Sequence, residues 1–511
     1  MEVPESSIGL STAGATIISA KYYSVTDMNH TSGDYCQILG KIHPVDVLAP
    51  DIRFEMDLPT TWNGKSVHFG GGGLDGRIPA TKEFGLTGFT FGEVAGVKTP
   101  LARGYMTFGS DSGHQAKSFD AMFAQNDEAL GNYAGEHIKK THDVALFLAK
   151  KRYGYGFNHS YFVGGSGGGR QALLAAQRYA NDYDGIIATF PISQFVGLAL
   201  GGGRISQASL APGGFINPAK GAIITSAVMS QCDALDGLAD GLISNPALCS
   251  FDPAALRCPG GSDMGDTCLS DAQIHTVITA ATPLTTNYQS ANGTMSVPGY
   301  NILSGADLWH PVTVFGKSQQ DAVRDPSGSR WDAGSFFWSL PTGLLRFAIA
   351  RDAAIDITAV NFYDLGLLTA RTETVSKMMD ATSVDLSAFK NRGGKLILQH
   401  GLADQYVPAQ MSVNYYERLL KKYGKAALSA FLKFYLVPGV AHVTGGQFDG
   451  AYDSLSVLDQ WVTQGREPHN LVITDLNLAM KGRTRPLCEY PLWPKYMSGD
   501  VNSATSFICS N

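Results

Sequence analysis

Three residues of this chain have the types and order that nucleophilic acyl chemistry requires. Ser166 lies in Gly164-Gly165-Ser166-Gly167-Gly168, between residues that allow the backbone to turn sharply. A serine hydroxyl is a weak nucleophile at neutral pH. It needs an imidazole to take its proton, and the imidazole needs a carboxylate to hold its tautomer. Asp404, in Gly401-Leu402-Ala403-Asp404, and His442, in Pro438-Gly439-Val440-Ala441-His442, follow Ser166 in the chain, and Ser, Asp, His is a working order for such a triad. His442 has loop glycines on both sides, Gly439, Gly445 and Gly446. His400 and His114 are the rival bases and sit less well. A developing oxyanion would also need backbone donors. The amide of Gly167 supplies one, and the loop Gly70-Gly71-Gly72-Gly73 is placed to supply a second. That loop also suggests a phosphate cradle, a weaker reading because no G-x-x-x-x-G-K-[ST] and no dinucleotide fingerprint is present.

With 58 glycines in 511 residues, a G-x-S-x-G match carries little information by itself, so its context has to decide. His159 to Val163 reads as a strand and Arg170 to Asn181 as an amphipathic helix, which puts Ser166 on the sharp turn between them. The alternative is a glycine-rich turn with an idle serine. Lys65 to Phe69, Tyr105 to Gly109, Lys395 to His400 and Leu432 to Val437 are further short apolar runs ending near glycine, aspartate or proline, as buried parallel strands do. Tyr133 to Tyr153 has helical spacing. The segments Ile17 to Tyr22 and Tyr35 to Ile42 alternate like strands of a β-rich edge.

Alternating strands and helices point to an α/β layer fold, and the order of the triad makes it an α/β-hydrolase. The alternation breaks from about residue 192 to 387. We expect a catalytic domain over 1–191 and 388–511, with a lid domain over 192–387 inserted above the carboxyl edge of the sheet, where ligands bind in such folds. Within the lid, the segment Trp331 to Phe347 contains Phe336, Phe337, Trp338 and Arg346, which can stack an aromatic ring and pair a carboxylate. The bland alternative is that they form the core of the lid. Val407, just past Asp404, is a further candidate for the pocket wall.

Composition narrows the partners. The chain is 44% apolar and 16% charged, with a formal net charge of -6, so nothing attracts it to nucleic acid or anionic lipid. The most apolar window, Gly185 to Gly203, is interrupted by Pro191, Ser193 and Gln194 and makes a poor membrane span. Six of the seven cysteines form sequential couples, Cys232 with Cys249, Cys258 with Cys268 and Cys488 with Cys509, leaving Cys36 over. This suits an oxidising compartment. Met1-Glu2-Val3-Pro4-Glu5 is not a signal peptide, so a secreted or periplasmic location requires that a leader was removed. Asn29, Asn158 and Asn292 lie in glycosylation sequons. Oligomeric state is not legible.

The sequence resembles the tannase and feruloyl esterase family, which includes the mono(hydroxyethyl) terephthalate hydrolases. The resemblance runs from Leu58-Pro59-Thr60-Thr61-Trp62-Asn63-Gly64 through Gly70 to Gly73, Ser110 to His114, Tyr161 to Gln171 and Gly401 to Asp404, and on to Pro438 to Gly446. It implies a Ser166/His442/Asp404 triad, an oxyanion hole from Gly167 with Gly72 and Gly73, and an aromatic ester as substrate. A feruloyl or related hydroxycinnamate or benzoate ester comes first, a galloyl ester second, a terephthalate monoester as a further alternative. Resolution of the acyl-enzyme by an alcohol, or an inactive calcium-stabilised binding protein, are competing readings. The resemblance also implies a structural calcium ion in the lid. Asp233, Asp236 and Asp240, with two glycines between and after them, suit an oxygen-rich cage, with Leu238 and Leu242 contributing carbonyls. One departure stands out. The family usually joins a cysteine before the nucleophile to one after the histidine, and this chain has Gly165 and Val443 instead.

Overall fold

The computed structural model describes residues 1–25, 33–82, 96–116, 119–311, 313–324, 334–442, 445–480 and 482–511. Ten strands of the described residues form one sheet. In chain order they are β1 (Glu2–Val3), β2 (Ala15–Tyr23), β3 (Tyr35–Ile42), β4 (Ile52–Pro59), β5 (Lys65–Phe69), β6 (Met106–Ser110), β7 (His159–Gly165) and β8 (Gly185–Thr189). After the small hairpin β9 (Leu284–Thr285) and β10 (Ser296–Val297), which stands apart, β11 (Lys395–Gly401) and β12 (Leu432–Val437) complete it. The spatial order is β1-β2-β3-β4-β6-β5-β7-β8-β11-β12.

The first four strands are antiparallel neighbours, and from β6 onward every pairing is parallel. The sequence reflects this division. The parallel strands are buried almost throughout, so they read as continuous apolar runs, whereas β3 alternates buried with half-exposed positions because one face is partly open. Helices connect the parallel strands: His137–Tyr153 precedes β7, Gly167–Arg178 joins β7 to β8, and Gln410–Tyr423 joins β11 to β12. The helix behind the nucleophile begins three residues before the expected Arg170, because the glycines are themselves its first turn. The helical pattern from Tyr133 divides into a π-turn, Asn132–Glu136, and the helix proper, since Gly135 takes φ 142° between them.

Between β8 and β11 the chain leaves the sheet. It forms the helices Phe195–Leu210, Pro218–Cys232, Asp271–Ala281, Phe336–Gly343 and Thr369–Met379. Their apolar faces enclose a separate core in which Ile224, Val277, Trp309, Phe315, Phe337 and Phe362 are buried. Phe195, Leu340 and Val407 belong to that same cluster, so the excursion packs directly onto the loops at the carboxyl ends of the strands. All three expected cysteine couples are disulfides, Cys232–Cys249, Cys258–Cys268 and Cys488–Cys509, and Cys36 is free. Among the described residues, no helix is long and apolar enough to cross a membrane.

Candidate active site

Ser166 is the hinge between β7 and the helix Gly167–Arg178, with φ 61° and ψ −121°. A non-glycine residue holds such a conformation only when its surroundings enforce it. Its amide donates to Thr189 O at 3.0 Å, and its carbonyl accepts from Arg170 N at 3.0 Å and Ile192 N at 3.3 Å. The glycines make the bend possible through close approach. A Cβ on Gly164 would lie 2.3 Å from Gly168 O, and one on Gly168 would lie 2.5 Å from Gly71 O. The loop Gly70–Gly73 therefore lies directly along the first turn of the helix.

That contact brings the two expected oxyanion donors together. A Cβ on Gly167 would come within 2.8 Å of Gly73 O and 3.3 Å of Gly73 N, so the amide of Gly73 lies beside the helix terminus whose positive end favours negative charge. The loop is held from several sides. Tyr133 OH donates to Gly73 O at 3.0 Å, Asp75 N donates to Gly72 O at 2.9 Å, and Gly71 N donates to Gln171 Oε1 at 3.3 Å.

His442 follows β12, and Asp404 follows β11. Asp404 Oδ2 lies 2.8 Å from His442 Nδ1, which leaves Nε2 of the histidine for the reacting proton. Asp404 Oδ1 accepts from the amides of Tyr406 and Val407, both at 2.8 Å. Burial by itself would raise this carboxyl, but His442 and His400 beside it hold it well below the usual carboxylate range. Gln405 Oε1 accepts from His442 N at 3.0 Å and fixes the histidine loop as well. The rival bases have other positions. His400 is fully buried beneath Asp404, with Nε2 3.2 Å from Asp404 Oδ2 and Nδ1 2.7 Å from Ser412 Oγ. His114 is buried with its ring stacked 3.7 Å from Phe123, and burial pushes its pKa down to about 3.

Ser166 and His442 line one cavity of about 300 Å³, together with Gly70 to Gly73. Its walls are mostly apolar: Ile78, Pro79, Phe119, Ile192, Phe195, Phe336, Leu340 and Val407, with Tyr406 beside the histidine. Of the expected substrate contacts, Phe336 and Val407 line the cavity. Phe337, Trp338 and Arg346 do not. Phe337 is buried in the lid against Phe315 and Tyr300, because successive residues of a helix point to different faces. Trp338 packs against the lid core, and Arg346 Nε donates to Ile355 O at 3.2 Å. The sequence reading missed Gln405 and Tyr406, although both are adjacent to Asp404, and it missed Asp75 and Arg77 just past the glycine loop. Trp331, Asn29 and Val443 lie outside the described residues; Gly165 is buried in the cavity wall.

The acidic lid loop runs through a tight turn, Asp233–Asp236, with Gly237 at φ 100° and Gly241 at φ 80°. Its carboxylates face the amides of the loop itself. Asp233 accepts from Gly241 N, Asp236 from Leu238 N and Ser244 N, and Asp240 from Leu242 N, while Asp240 also pairs with Arg485. Burial first, and then the neighbouring Asp240, push Asp236 up to about 6. Among the described residues, the group of three ligand atoms that converge within 4.8 Å is a different one, His142, Asp143 and Asp182. The Lys139 ammonium already bridges its two carboxylates.

A family model described as tannase and feruloyl esterase matches residues 36–510. An uncharacterized esterase from Agrobacterium fabrum is 39% identical, over 100% of this chain and 91% of that protein. A mono(2-hydroxyethyl) terephthalate hydrolase from Piscinibacter sakaiensis is 30% identical, over 93% of this chain and 85% of its own. In fold, feruloyl esterase B from Aspergillus oryzae superposes with a TM-score of 0.79 at 22% identity, covering 99% of this chain and 98% of that one. The match over nearly the whole length places this chain in the tannase and feruloyl esterase family, as a carboxylic ester hydrolase on an α/β-hydrolase fold.

Proposed function

We propose that the enzyme hydrolyses esters of aromatic acids through an acyl-enzyme on Ser166. The observation that carries this is the single cavity that holds Ser166 and the Asp404-bonded His442 between apolar and aromatic walls. His442 Nε2 takes the proton of Ser166 Oγ as that oxygen attacks the ester carbonyl, and the carbonyl oxygen takes up the negative charge. The amides of Gly167 and Gly73 receive this oxyanion. As the tetrahedral species collapses, His442 gives the proton to the departing alcohol oxygen. Water then repeats the sequence, with His442 as its base, and frees the acid. Asp404 stays ionised throughout and stabilises the imidazolium.

A ring-sized apolar cavity suits a feruloyl-type or related hydroxycinnamate or benzoate group, with a galloyl or terephthaloyl group as the alternatives. A second assignment rests on donor chemistry. Three carboxylates within eight residues suit a hard divalent cation, and we assign the loop Asp233–Leu242 as a structural calcium site. Asp233, Asp236 and Asp240 would hold the ion through side chains, Leu238 and Leu242 through carbonyls. The three disulfides suit an enzyme that works outside the reducing cytosol.

The test is covalent labelling by an organophosphate together with turnover of methyl ferulate, methyl gallate and monomethyl terephthalate. Wild type is expected to label and to cleave at least one of the three, while Ser166→Ala loses labelling and at least about a thousandfold in kcat with its circular dichroism unchanged. A folded wild type that does not label would refute the serine mechanism. Labelling without aryl ester turnover would refute the substrate class.

A further inference from the structure

His400 has the residue type of a catalytic base without the position of one. It lies in β11, two residues after Leu398 and four after Leu396, and strand alternation puts it on their face of the sheet, toward the helix Gln410–Tyr423. It is completely buried and does not line the cavity that holds Ser166. Both ring nitrogens are nevertheless engaged. Nδ1 lies 2.7 Å from Ser412 Oγ on that helix, while Nε2 lies 3.1 Å from Val407 O and 3.2 Å from Asp404 Oδ2.

These partners fix the proton. A carbonyl oxygen and an ionised carboxylate can only accept, so Nε2 carries the hydrogen and shares it between Val407 O and Asp404 Oδ2. Nδ1 then accepts from the Ser412 hydroxyl. A doubly protonated ring would leave that hydroxyl proton without an acceptor among the described residues. His400 is therefore a neutral imidazole of one tautomer, and its N–H acts at two places. At Val407 O it closes the loop that leaves β11 at Gly401, with Asp404 in the middle. At Asp404 Oδ2 it faces the carboxylate from the side opposite the two amides, Tyr406 N and Val407 N, that occupy Oδ1. The remaining donor to Oδ2 is the catalytic His442 itself, and Phe190 packs beside both rings, 4.3 Å from His442 and 6.4 Å from His400.

We infer that His400 is a positioning residue for acyl transfer: it holds Asp404 Oδ2 against His442 Nδ1 and takes up part of the carboxylate's charge, without touching substrate. This rests on the Ser166 mechanism above. A carboxylate that turns slightly leaves the base misaligned, so the effect belongs to the transition state and not to substrate binding. The charge effect has a sign. An Asp404 deprived of this N–H keeps more of its charge for the His442 imidazolium and stabilises it further, so the base stays protonated to higher pH. Other ionisable groups face the pair. The Tyr406 ring lies 5.3 Å from His442, and Tyr300, which burial and then Asp404 hold far above its ordinary range, donates to Tyr406 O at 3.1 Å. His310 and Asp449 stand at Gly445, and Asp75 and Arg77 lie across the cavity. Asp75, pushed up to about 7 by burial, titrates in the same range and is controlled for below.

The test uses two amides of different reach. His400→Asn places its amide at the position of Nδ1, near Ser412, and stops short of Asp404, whereas His400→Gln brings an N–H to the position of Nε2. With 4-nitrophenyl acetate as substrate, His400→Asn should lose about tenfold or more in kcat with KM changed less than about twofold, and the acid limb of its kcat/KM profile should move up by about half a pH unit. His400→Gln should stay within about threefold of wild type with its limb in place. The same differences should appear in an Asp75→Asn background, which removes the other titration. If His400→Asn does not fold, His400→Leu, which adds no unpaired polar group to the dry core, is read in its place. A folded variant whose acid limb does not move up, or a loss that His400→Gln shares, would reduce His400 to packing and overturn the inference while the Ser166 mechanism stands. A wild type that an organophosphate does not label would remove that mechanism, and this inference with it.

Discussion

Asp75 shows what the catalytic cavity costs its own wall. The residue is buried, its Oδ2 accepts from Gln171 and its Oδ1 has no partner. Burial pushes its pKa up to about 7, against an ordinary 3.8, even though Arg170, Gln171 and Ser112 pull the other way. The sign follows from that rise. Below about pH 4 the folded and unfolded chains both hold the proton; between pH 4 and 7 the unfolded chain gives it up more readily, so stability falls as pH rises through this window. Asp75→Asn keeps an acceptor for Gln171 and removes the ionisation. Its unfolding free energy from urea titration should match wild type near pH 4 and exceed it near pH 8, by at most on the order of 4 kcal/mol. A stability difference that does not vary with pH would contradict this account.

At the scale of elements, the site depends on a helix that is tied to its surroundings from inside. Arg170, four residues after the nucleophile, is completely buried, with its guanidinium 4.7 Å from the Tyr133 ring and 5.5 Å from that of Phe195. It donates to Tyr133 O in the π-turn and to Met379 O at the end of a lid helix, both at 3.0 Å. Because Tyr133 in turn holds Gly73, one side chain connects the helix behind Ser166, the oxyanion loop and the lid. Replacing it strands those carbonyls in a dry interior. Arg170→Met should lower unfolding stability by about 3–5 kcal/mol in urea titration, and a loss under about 1 kcal/mol would show that the connection is dispensable.

For the whole molecule, the question is how the excursion of short helices and loops between β8 and β11 stays in place. It has its own apolar core, two of the three disulfides, and the acidic loop that Cys232–Cys249 encloses with a separation of 17 residues. If that loop holds calcium, folded protein gains stability from the ion by mass action, about 2.7 kcal/mol at a hundredfold excess over Kd. Dialysis against a chelator should lower the melting temperature, added calcium should restore it, and Asp236→Asn should show neither response. A melting temperature indifferent to chelator and calcium alike would rule the site out.

The local alternation of apolar runs and turns, and the glycines around Ser166, already specified an α/β fold with a serine on a strand-to-helix bend. Ser, Asp and His each stood just past a recognisable strand, and the cysteine couples were close enough in sequence to be read directly. These features follow from short-range physics: period, turn chemistry and loop closure act over a few residues. Helix boundaries were less legible because Gly167 to Gly169 look like loop residues, yet they form the first turn of the helix, with Gly167 and Gly168 close against the loop Gly70 to Gly73 and Gly169 against Thr189 and Pro191. The pocket was hardest to read. Phe336 and Phe337 are neighbours of the same chemical type, yet one lines the cavity and the other the lid core, and Arg346 turned inward while Arg77, far away in sequence, came to the cavity wall. Which side chains face a cavity depends on how two cores meet across hundreds of residues, and that was settled only when the lid packed onto the sheet.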